Sequence, residues 1–549
     1  MIEAVEANNK TEKAIVILGA GIMQIPAIES AKRKGYITIV FDGNCKAQGA
    51  AVSDHFENID LKNREALFEK CLGYRKKYQI AGVFTAGTDF SYIVAWLSAQ
   101  LGLKSISYET SIKATDKSLM RQAFLSCNVP SPAWLITENR NIDETMVRKL
   151  GFPLVVKPVD SMGARGTVRV DDSLQLGEAF DSAYIHSRTG KVIIEQYIEG
   201  PEYSLDAVVK DGNITVCGIA DRHIFFPPYF VEMGHTMPAV LTKEASDNIA
   251  KVFCDGIKAI GIDNGSAKGD IKYSRKGAVV GEIAARLSGG YMSGWTFPYS
   301  TGFSVIDAAI DIAVGNDPGA VDYSYINTAA ERAFISIPGI VDSVFIPENI
   351  QKNIIERNED TVIKELFLNV KPGAAVNFPK NNVEKCGNVI AVHREREKAV
   401  YAAEQACRDI FVKLKPCGEM TYNFIFNEKE SWIPDAFNPG RTALEMPDYY
   451  GNIQDVDIFR HPINVIMPEA AAGDPGRDWQ GRTLDNVLKQ IEYHTNIRFV
   501  EKTDIGSSFA VGRLFWKSVA RGSVQGGVWI VETLLEYLEN GKDLKDYKW

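Results

Sequence analysis

The chain has 549 residues, 45% hydrophobic and 24% charged, with 22 prolines and a formal net charge of -9. That length predicts about three or four domains, the composition predicts compact folding without a long disordered tract, and the acidic balance argues against nucleic acid or a membrane surface as partner, since both reward an excess of Lys and Arg. A small-molecule partner is expected instead. The eight cysteines are scattered, with no CxxC pair and no zinc-finger spacing, and read as reduced thiols. Met1 to Lys13 shows no apolar core of a secretory signal or membrane anchor, so a cytoplasmic location is expected.

In chain order, Ala14 to Leu18 is a β-branched run, Gly19-Ala20-Gly21 a turn, Ile22 to Lys34 helically periodic, and Tyr36 to Phe41 a second strand ending at Asp42. This is a βαβ opening. Gln24 stands where a dinucleotide fingerprint has its third glycine, so a nicotinamide cofactor is poorly supported. A strand from Ile80 to Thr85, the turn Ala86-Gly87-Thr88-Asp89 and a helix from Phe90 to Leu101 continue the alternation, which predicts a doubly wound domain over residues 1–112. Gly19, Gly21, Asp42, Thr88 and Asp89 then fall near the carboxyl ends of strands, where they either line a ligand crevice or only shape turns and cap helices.

Thr115 or Asp116 caps a helix running through Lys117, Met120, Arg121 and Phe124, which Pro130 and Pro132 end. Leu150-Gly151-Phe152-Pro153 leads into the stretch that orders the rest: Val155-Val156-Lys157-Pro158, the loop Val159 to Thr167 with Gly163, Arg165 and Gly166, and the strand Val168 to Val170. Such a loop can turn its amides toward an anion that a lysine leaving a buried strand also reaches; an ordinary surface hairpin whose Lys157 extends to water fits equally well. A helix near Ser173 to Ser187, a strand from Val192 to Ile198 and the turn Glu199-Gly200-Pro201-Glu202 follow. Gly269 to Tyr273 and Ala278 to Ile283 read as an antiparallel pair. With a loop centred on Lys276, Asp270 and Glu282 face each other; a four-residue loop offsets them by one.

Lys117, Lys157 before a glycine-bearing loop, Glu195-Gln196-Tyr197-Ile198 followed by Glu202, and Asp270 with Glu282 and Arg286 stand in an order and spacing that resembles the ATP-grasp family, in its amino-acid-ligase and carbamoyl-phosphate-synthase-like branch of carboxylate–amine ligases. The resemblance spans residues 14–415. It implies an α/β and α+β multidomain chain: a Rossmann-like domain at 1–112, a two-lobed ATP-grasp domain at 113–327, a closing subdomain at 328–415, and an additional α+β region at 416–549 of unassigned role.

ATP and Mg2+, or Mn2+ in its place, are the implied cofactors. By resemblance Lys117 and Lys157 take the phosphates together with Gly163, Arg165 and Gly166; Glu195, Tyr197 and Ile198 form the adenine hinge; and Glu202 accepts from the ribose. Asp270 and Glu282 suit a hard cation that takes one or two carboxylates plus phosphate oxygens. Arg286, with Lys157, is the implied catalytic residue and holds the substrate carboxylate and acyl phosphate, although its spacing four after Glu282 also suits a helical ion pair. Ala284 stands where the family commonly has a metal-binding asparagine, so a second metal is in question.

Asp221-Arg222-His223 and Pro227 to Pro238 form an aromatic, proline-marked passage that either packs an edge or shapes a pocket; by resemblance Glu232 and His235 face the substrate. Ser288-Gly289-Gly290 offers amides to a carboxylate or makes a tight turn. The implied reaction activates a small-molecule carboxylate, expected to be an amino acid, as an acyl phosphate and joins it to an amine, releasing ADP and phosphate, with a homo-oligomer left open. Rival readings are a bicarbonate and ribonucleotide carboxylase of purine-pathway type, a non-catalytic ATP-binding sensor, and last an NAD-dependent dehydrogenase. Further strands are expected at Ala333 to Ile337 and Val389 to His393, and helices at Lys398 to Phe411, Leu484 to His494 and Gly527 to Asn540, with a proline- and glycine-marked passage from Pro468 to Gly481.

Overall fold

The computed structural model describes residues 12–140, 142–356, 362–427, 432–437, 464–466, 476–500, 510–511 and 513–540, so the expectations for residues 1–11, 438–440 and 468–475 lie outside the described residues. Two compact units divide the chain, Met1–Glu331 with Val392–Val400, and Arg332–Ala391 with Tyr401–Trp549.

The first unit opens with β1 (Lys13–Leu18), α1 (Ile25–Arg33), β2 (Ile37–Asp42), β3 (His55–Asn58), α2 (Arg64–Arg75), β4 (Gln79–Phe84) and α3 (Ser91–Gln100). The four strands form a parallel sheet in the order β3-β2-β1-β4. Alternation across the pleat explains why β1 is apolar throughout. Ile15 and Ile17 pack with Ala27, Ile28 and Ala31 of α1, whereas Ala14, Val16 and Leu18 pack with Leu67 and Cys71 of α2 and Ile93 and Leu97 of α3. At the glycine turn the Asp42 carboxylate accepts the Ala20 N–H at 2.7 Å. Gln24 bonds both the N–H and the carbonyl of Ala86, tying the first turn to the end of β4. The Gln24 side chain thus makes these bonds at the position where a dinucleotide fingerprint has its third glycine.

Next come α4 (Tyr108–Lys113) and α5 (Lys117–Ser126), the latter capped by Asp116, whose carboxylate accepts the Ser118 and Leu119 N–H groups. An antiparallel sheet in the order β5-β8-β6-β7 follows, built from β5 (Trp134–Thr137), β6 (Leu154–Pro158), β7 (Val168–Val170) and β8 (Val192–Gln196), with helices α6 (Glu144–Leu150) and α7 (Leu176–His186). Leu154, Val156, Val192 and Ile194 turn toward Leu176, Phe180 and Ala183 of α7. The alternate residues, Val155, Lys157, Ile193 and Glu195, are therefore left for the opposite face.

The unit continues with β9 (Glu202–Lys210), β10 (Asn213–Phe225), β11 (Val231–Met237), α8 (Lys243–Ile260), β12 (Gly265–Ser274), β13 (Gly277–Ala284), α9 (Phe297–Thr301) and α10 (Val305–Ala313). Neighbouring strands run β13-β12-β9-β10-β11. Tyr203, Leu205 and Ala207 of β9, Ile271 of β12 and Val280 and Ile283 of β13 pack on Ile249, Val252, Phe253 and Ile257 of α8 and on Met120 and Phe124 of α5. One sheet face is thereby sealed, and the other carries the polar residues.

In the second unit Gly339–Phe345, Ala375–Val376 and Phe411–Leu414 form a three-stranded sheet, and Ile363–Leu368 pairs antiparallel with Gly387–His393. The expected strand at Ala333 to Ile337 lies earlier, at Thr328–Phe334. The expected helix after Gly527 begins at Arg513, runs to Glu539, and is broken at Ser523, whose φ is 51°. Leu484–Thr495 carries a capping box between Thr483 and Asn486. No helix among the described residues is long and apolar enough to cross a membrane.

Candidate active site

On the open face of the second sheet, strand alternation writes a grid of charge. Glu202, Ser204 and Asp206 of β9 point away from the α8 core, and register places Lys272, Glu202, Arg222 and His235 in one row across four strands. Asp270 and Ser204 share the next row, and Lys268 lies opposite Asp206 in the third.

The hairpin that brings Glu282 to this face differs from the expected odd-numbered loop. Ser274 pairs with Gly277 around a two-residue turn, a register that would set Asp270 against Gly281 and send Glu282 into the α8 core. A bulge between the Asp270 and Ile271 pairs inserts one residue and sets Asp270 opposite Glu282. Val279 and Glu282 consequently both line the cleft, while Val280 and Ile283 stay in the core. Backbone groups beside the bulge find tertiary partners: Val280 N–H donates to the Pro130 carbonyl at 2.8 Å, and Arg121 Nη2 donates to the Gly281 carbonyl at 2.6 Å.

Above this face, Lys157 leaves β6 and Lys117 opens α5. Lys117 Nζ donates to the Ser161 carbonyl at 2.8 Å and lies 3.5 Å from Glu282 Oε1. Glu195 is buried between two cations, Lys157 Nζ at 2.7 Å on Oε2 and Arg121 Nε at 2.7 Å on Oε1. Burial by itself would raise the Glu195 carboxyl, but Arg121 and Lys157 outweigh it and hold the group at about 2. Burial lowers Lys157, against the pull of Glu195. Glu282 and Asp270 both lie below the carboxylate range: burial opposes, and Lys117 and Lys268 prevail for Glu282, Arg222 and Lys268 for Asp270.

A single cleft joins these groups. Of the residues expected from sequence, Lys117, Lys157, Gly163, Glu195, Tyr197, Ile198, Glu202, Asp270 and Glu282 line it. Two expected flap residues are not brought to its wall. Arg165 turns its Nε back onto the Met162 carbonyl at 3.1 Å, and a Cβ at Gly166 would lie 2.9 Å from the Ser182 carbonyl, so that glycine serves packing against α7. The Tyr197 ring is flanked by Arg169 and Lys272, each 4.6 Å from its centroid.

Lys268 went unread in the sequence, and Arg222 was named there only within the passage that packs an edge or shapes a pocket. The Arg222 guanidinium meets three acids at once: Glu202, Glu232 at 2.8 Å and Asp270 at 3.2 Å. Lys268 forms an ion pair with Asp270, and Ser204 donates to the same carboxylate at 3.0 Å. His235 Nδ1 is 3.1 Å from Glu331, and its Nε2 is 3.6 Å from Glu232. Gly290, at φ 59°, passes so close that a Cβ there would lie 2.8 Å from Glu232 Oε1 and 3.0 Å from His235 Cε1. Arg286 does not form the helical ion pair its spacing allowed, because Glu282 is in a strand; its Nε reaches Asp89 at 2.9 Å, on the turn after β4. Gly87 N–H bonds the Leu287 carbonyl beside it, and a Cβ on Gly87 would come within 3.3 Å of Gly289. Ser288 donates through its N–H and hydroxyl to Asp206, whose carboxyl burial pushes up to about 6 against those bonds. Glu232, His235, Arg286 and Ser288 to Gly290 are not among the lining residues of the cleft.

The paired carboxylates of Asp270 and Glu282 are hard donors suited to Mg2+, which completes its shell with water and phosphate oxygens rather than an all-protein cage. In keeping with that, no group of three or more His, Cys, Asp or Glu side chains is arranged for a metal among the described residues. Ala284, opposite Lys268, supplies no ligand.

Residues 150–294 match the family described as ATP-grasp domain, and residues 354–415 match L-amino acid ligase C-terminal domain 2. A protein of Sinorhizobium fredii, y4rH, is 24% identical over 391 residues, covering 69% of this chain and 76% of its own. The crystal structure of an L-amino acid ligase from Bacillus licheniformis superposes with a TM-score of 0.63 at 20% identity, over 74% of this chain and 100% of that one. N5-carboxyaminoimidazole synthetase from Staphylococcus aureus, solved in complex with ADP, gives 0.56 at 15% identity over 72% and 97%. The chain thus carries an ATP-grasp domain, and the solved structures it superposes on share its fold. Its second match, at residues 354–415, is to a domain described from the L-amino acid ligases.

Proposed function

We propose that this protein binds ATP with Mg2+, activates the carboxylate of an amino acid as an acyl phosphate and joins it to an amine, releasing ADP and phosphate. The observation that carries the reading is Asp270 facing Glu282 through the β13 bulge, beneath Lys117 and Lys157 in a single cleft. ATP supplies the γ-phosphoryl group, and Mg2+ neutralises charge on the phosphate oxygens.

The residues divide the work by position. Lys117 and Lys157 hold phosphate oxygens as point charges, with the Gly163 amide beside them. Tyr197 and Ile198 offer backbone to the adenine edge, and Glu202 accepts from ribose hydroxyls. Asp270 and Glu282 hold the metal. Arg286, fixed by Asp89, steadies the carboxylate to be phosphorylated, and the amides of Ser288 to Gly290 extend that grip. Glu232 and His235, beside Gly290, meet the amine, where a carboxylate favours an ammonium and an imidazole nitrogen can take the proton lost on bond formation. The match to the L-amino acid ligase C-terminal domain supports an amino acid as substrate.

A bicarbonate and ribonucleotide carboxylase is less well supported, because Asp42 and Gln24 occupy the first-domain turn where a ribonucleotide phosphate would need cations. The test is phosphate release across paired carboxylates and amines, with mass spectrometry of the product. Turnover should require Mg2+, a carboxylate and an amine together, and Lys157→Ala or Glu282→Ala should abolish it. ATP binding without turnover on a broad panel would instead mark a sensor, and turnover with bicarbonate and a ribonucleotide would mark the carboxylase.

A further inference from the structure

The acid best placed to hold the metal is already neutralised by the protein. Asp270 is paired with Lys268 and with Arg222 at 3.2 Å, and accepts from Ser204. Glu202 shares Arg222 and lies 3.7 Å from Lys272, and Glu232 takes the Arg222 Nε. Three carboxylates thus meet three cations in a network with no net charge, while Glu282 faces Lys117. A bare divalent ion approaching this face gains little, since it must take Asp270 from two cations and sit beside their positive charge. An ion carried on nucleotide phosphates brings its own negative charge and needs the protein for only one or two ligands.

We propose that Arg222 is a positioning residue that reserves Asp270 for metal arriving with its nucleotide and excludes the free divalent ion. The guanidinium suits this task because its fork contacts Asp270, Glu202 and Glu232 from one centre, so yielding Asp270 leaves it two acids to hold. Lys268 backs it from the neighbouring position on β12 and acts in the same direction. The inference rests on the nucleotide and metal reading proposed above.

The experiment titrates the full-length protein with Mn2+, read by electron paramagnetic resonance, with and without ATP. Wild type should take up Mn2+ with ATP and bind it at least about tenfold more weakly alone than Arg222→Met does. Lys268→Met should gain in the same sense, and it carries the test if the arginine variant does not fold. Arg222→Lys, which keeps the charge, should stay near wild type, and adding Asp270→Asn to Arg222→Met should erase the gain. A purely structural arginine would produce no tighter nucleotide-free binding. Equal Mn2+ affinity in wild type and both methionine variants, or a gain in Arg222→Lys as large as in Arg222→Met, overturns the inference while Mn2+ uptake with ATP leaves the functional reading standing. Failure of wild type to bind Mn2+ with ATP removes both.

Discussion

Arg121 shows how a single residue settles the Glu195–Lys157 side of the cleft. Its guanidinium fixes Glu195, which in turn fixes Lys157, and it also satisfies the carbonyl of the bulged Gly281. Arg121→Met leaves Glu195 with one cation and the Gly281 carbonyl without its donor. We expect a loss of about 3–5 kcal/mol in urea unfolding, the usual cost of breaking a buried pair from one side. Because the Glu195 carboxyl falls from 4.5 to about 2, its contribution is complete above the ordinary value and is lost as pH drops between the two. Asp206 has the opposite sign. Its carboxyl rises from 3.8 to about 6, so the fold favours the protonated form and stability declines as pH climbs through that interval. Asp206→Asn should flatten this part of the pH profile, measured as denaturation midpoints. The i, i+4 spacing of Lys117 and Arg121 hinted that both share a helix face, but the partner of Arg121 is 74 residues away, a distance periodicity does not bridge.

At the scale of elements, the site depends on a strand held in an altered phase. An antiparallel pair with a two-residue turn puts Asp270 and Glu282 on opposite faces, and only the extra residue near Gly281 brings them together. The other side of the same hairpin must stay flush with α8. A Cβ on Gly269 would lie 2.5 Å from the Phe253 ring, so Gly269→Ala should cost about 1–3 kcal/mol in a denaturant titration and displace the neighbouring Asp270, lowering metal-dependent turnover. The two misplaced elements past residue 327 have local causes. Glu331 and Arg332 are buried within Thr328–Phe334 and hide its strand character, leaving the apolar run after it as the apparent strand. Gly522, Gly526 and Gly527 read as breakers of the last helix, yet a Cβ at Gly526 would strike the Ser518 carbonyl and one at Gly527 would strike Ile491, so these glycines serve close packing.

Across the whole molecule, the ligase reading requires all parts of the first unit to act on one turnover, because the lysines, acids, Arg286 and the Glu232–His235 pair come from different strands and turns. Glu232→Gln should therefore raise the KM for the amine far more than that for ATP, which steady-state kinetics with each substrate varied would show. The sequence by itself determined the alternating opening domain, the ATP-grasp resemblance and most of the charged residues that line the cleft, since lysines beside a glycine loop and spaced carboxylates are local chemical signals. Lys157 could not be told from a surface lysine by its own segment; Glu195 and Arg121 decided it. Only the tertiary structure decided that Asp270 opposes Glu282, that Arg286 turns to Asp89, that Arg165 turns away, and that Arg222 and Lys268 pair with Asp270. Each of those outcomes depends on strand register or on a partner far along the chain, and both are fixed by burial of one sheet face rather than by any short stretch of sequence.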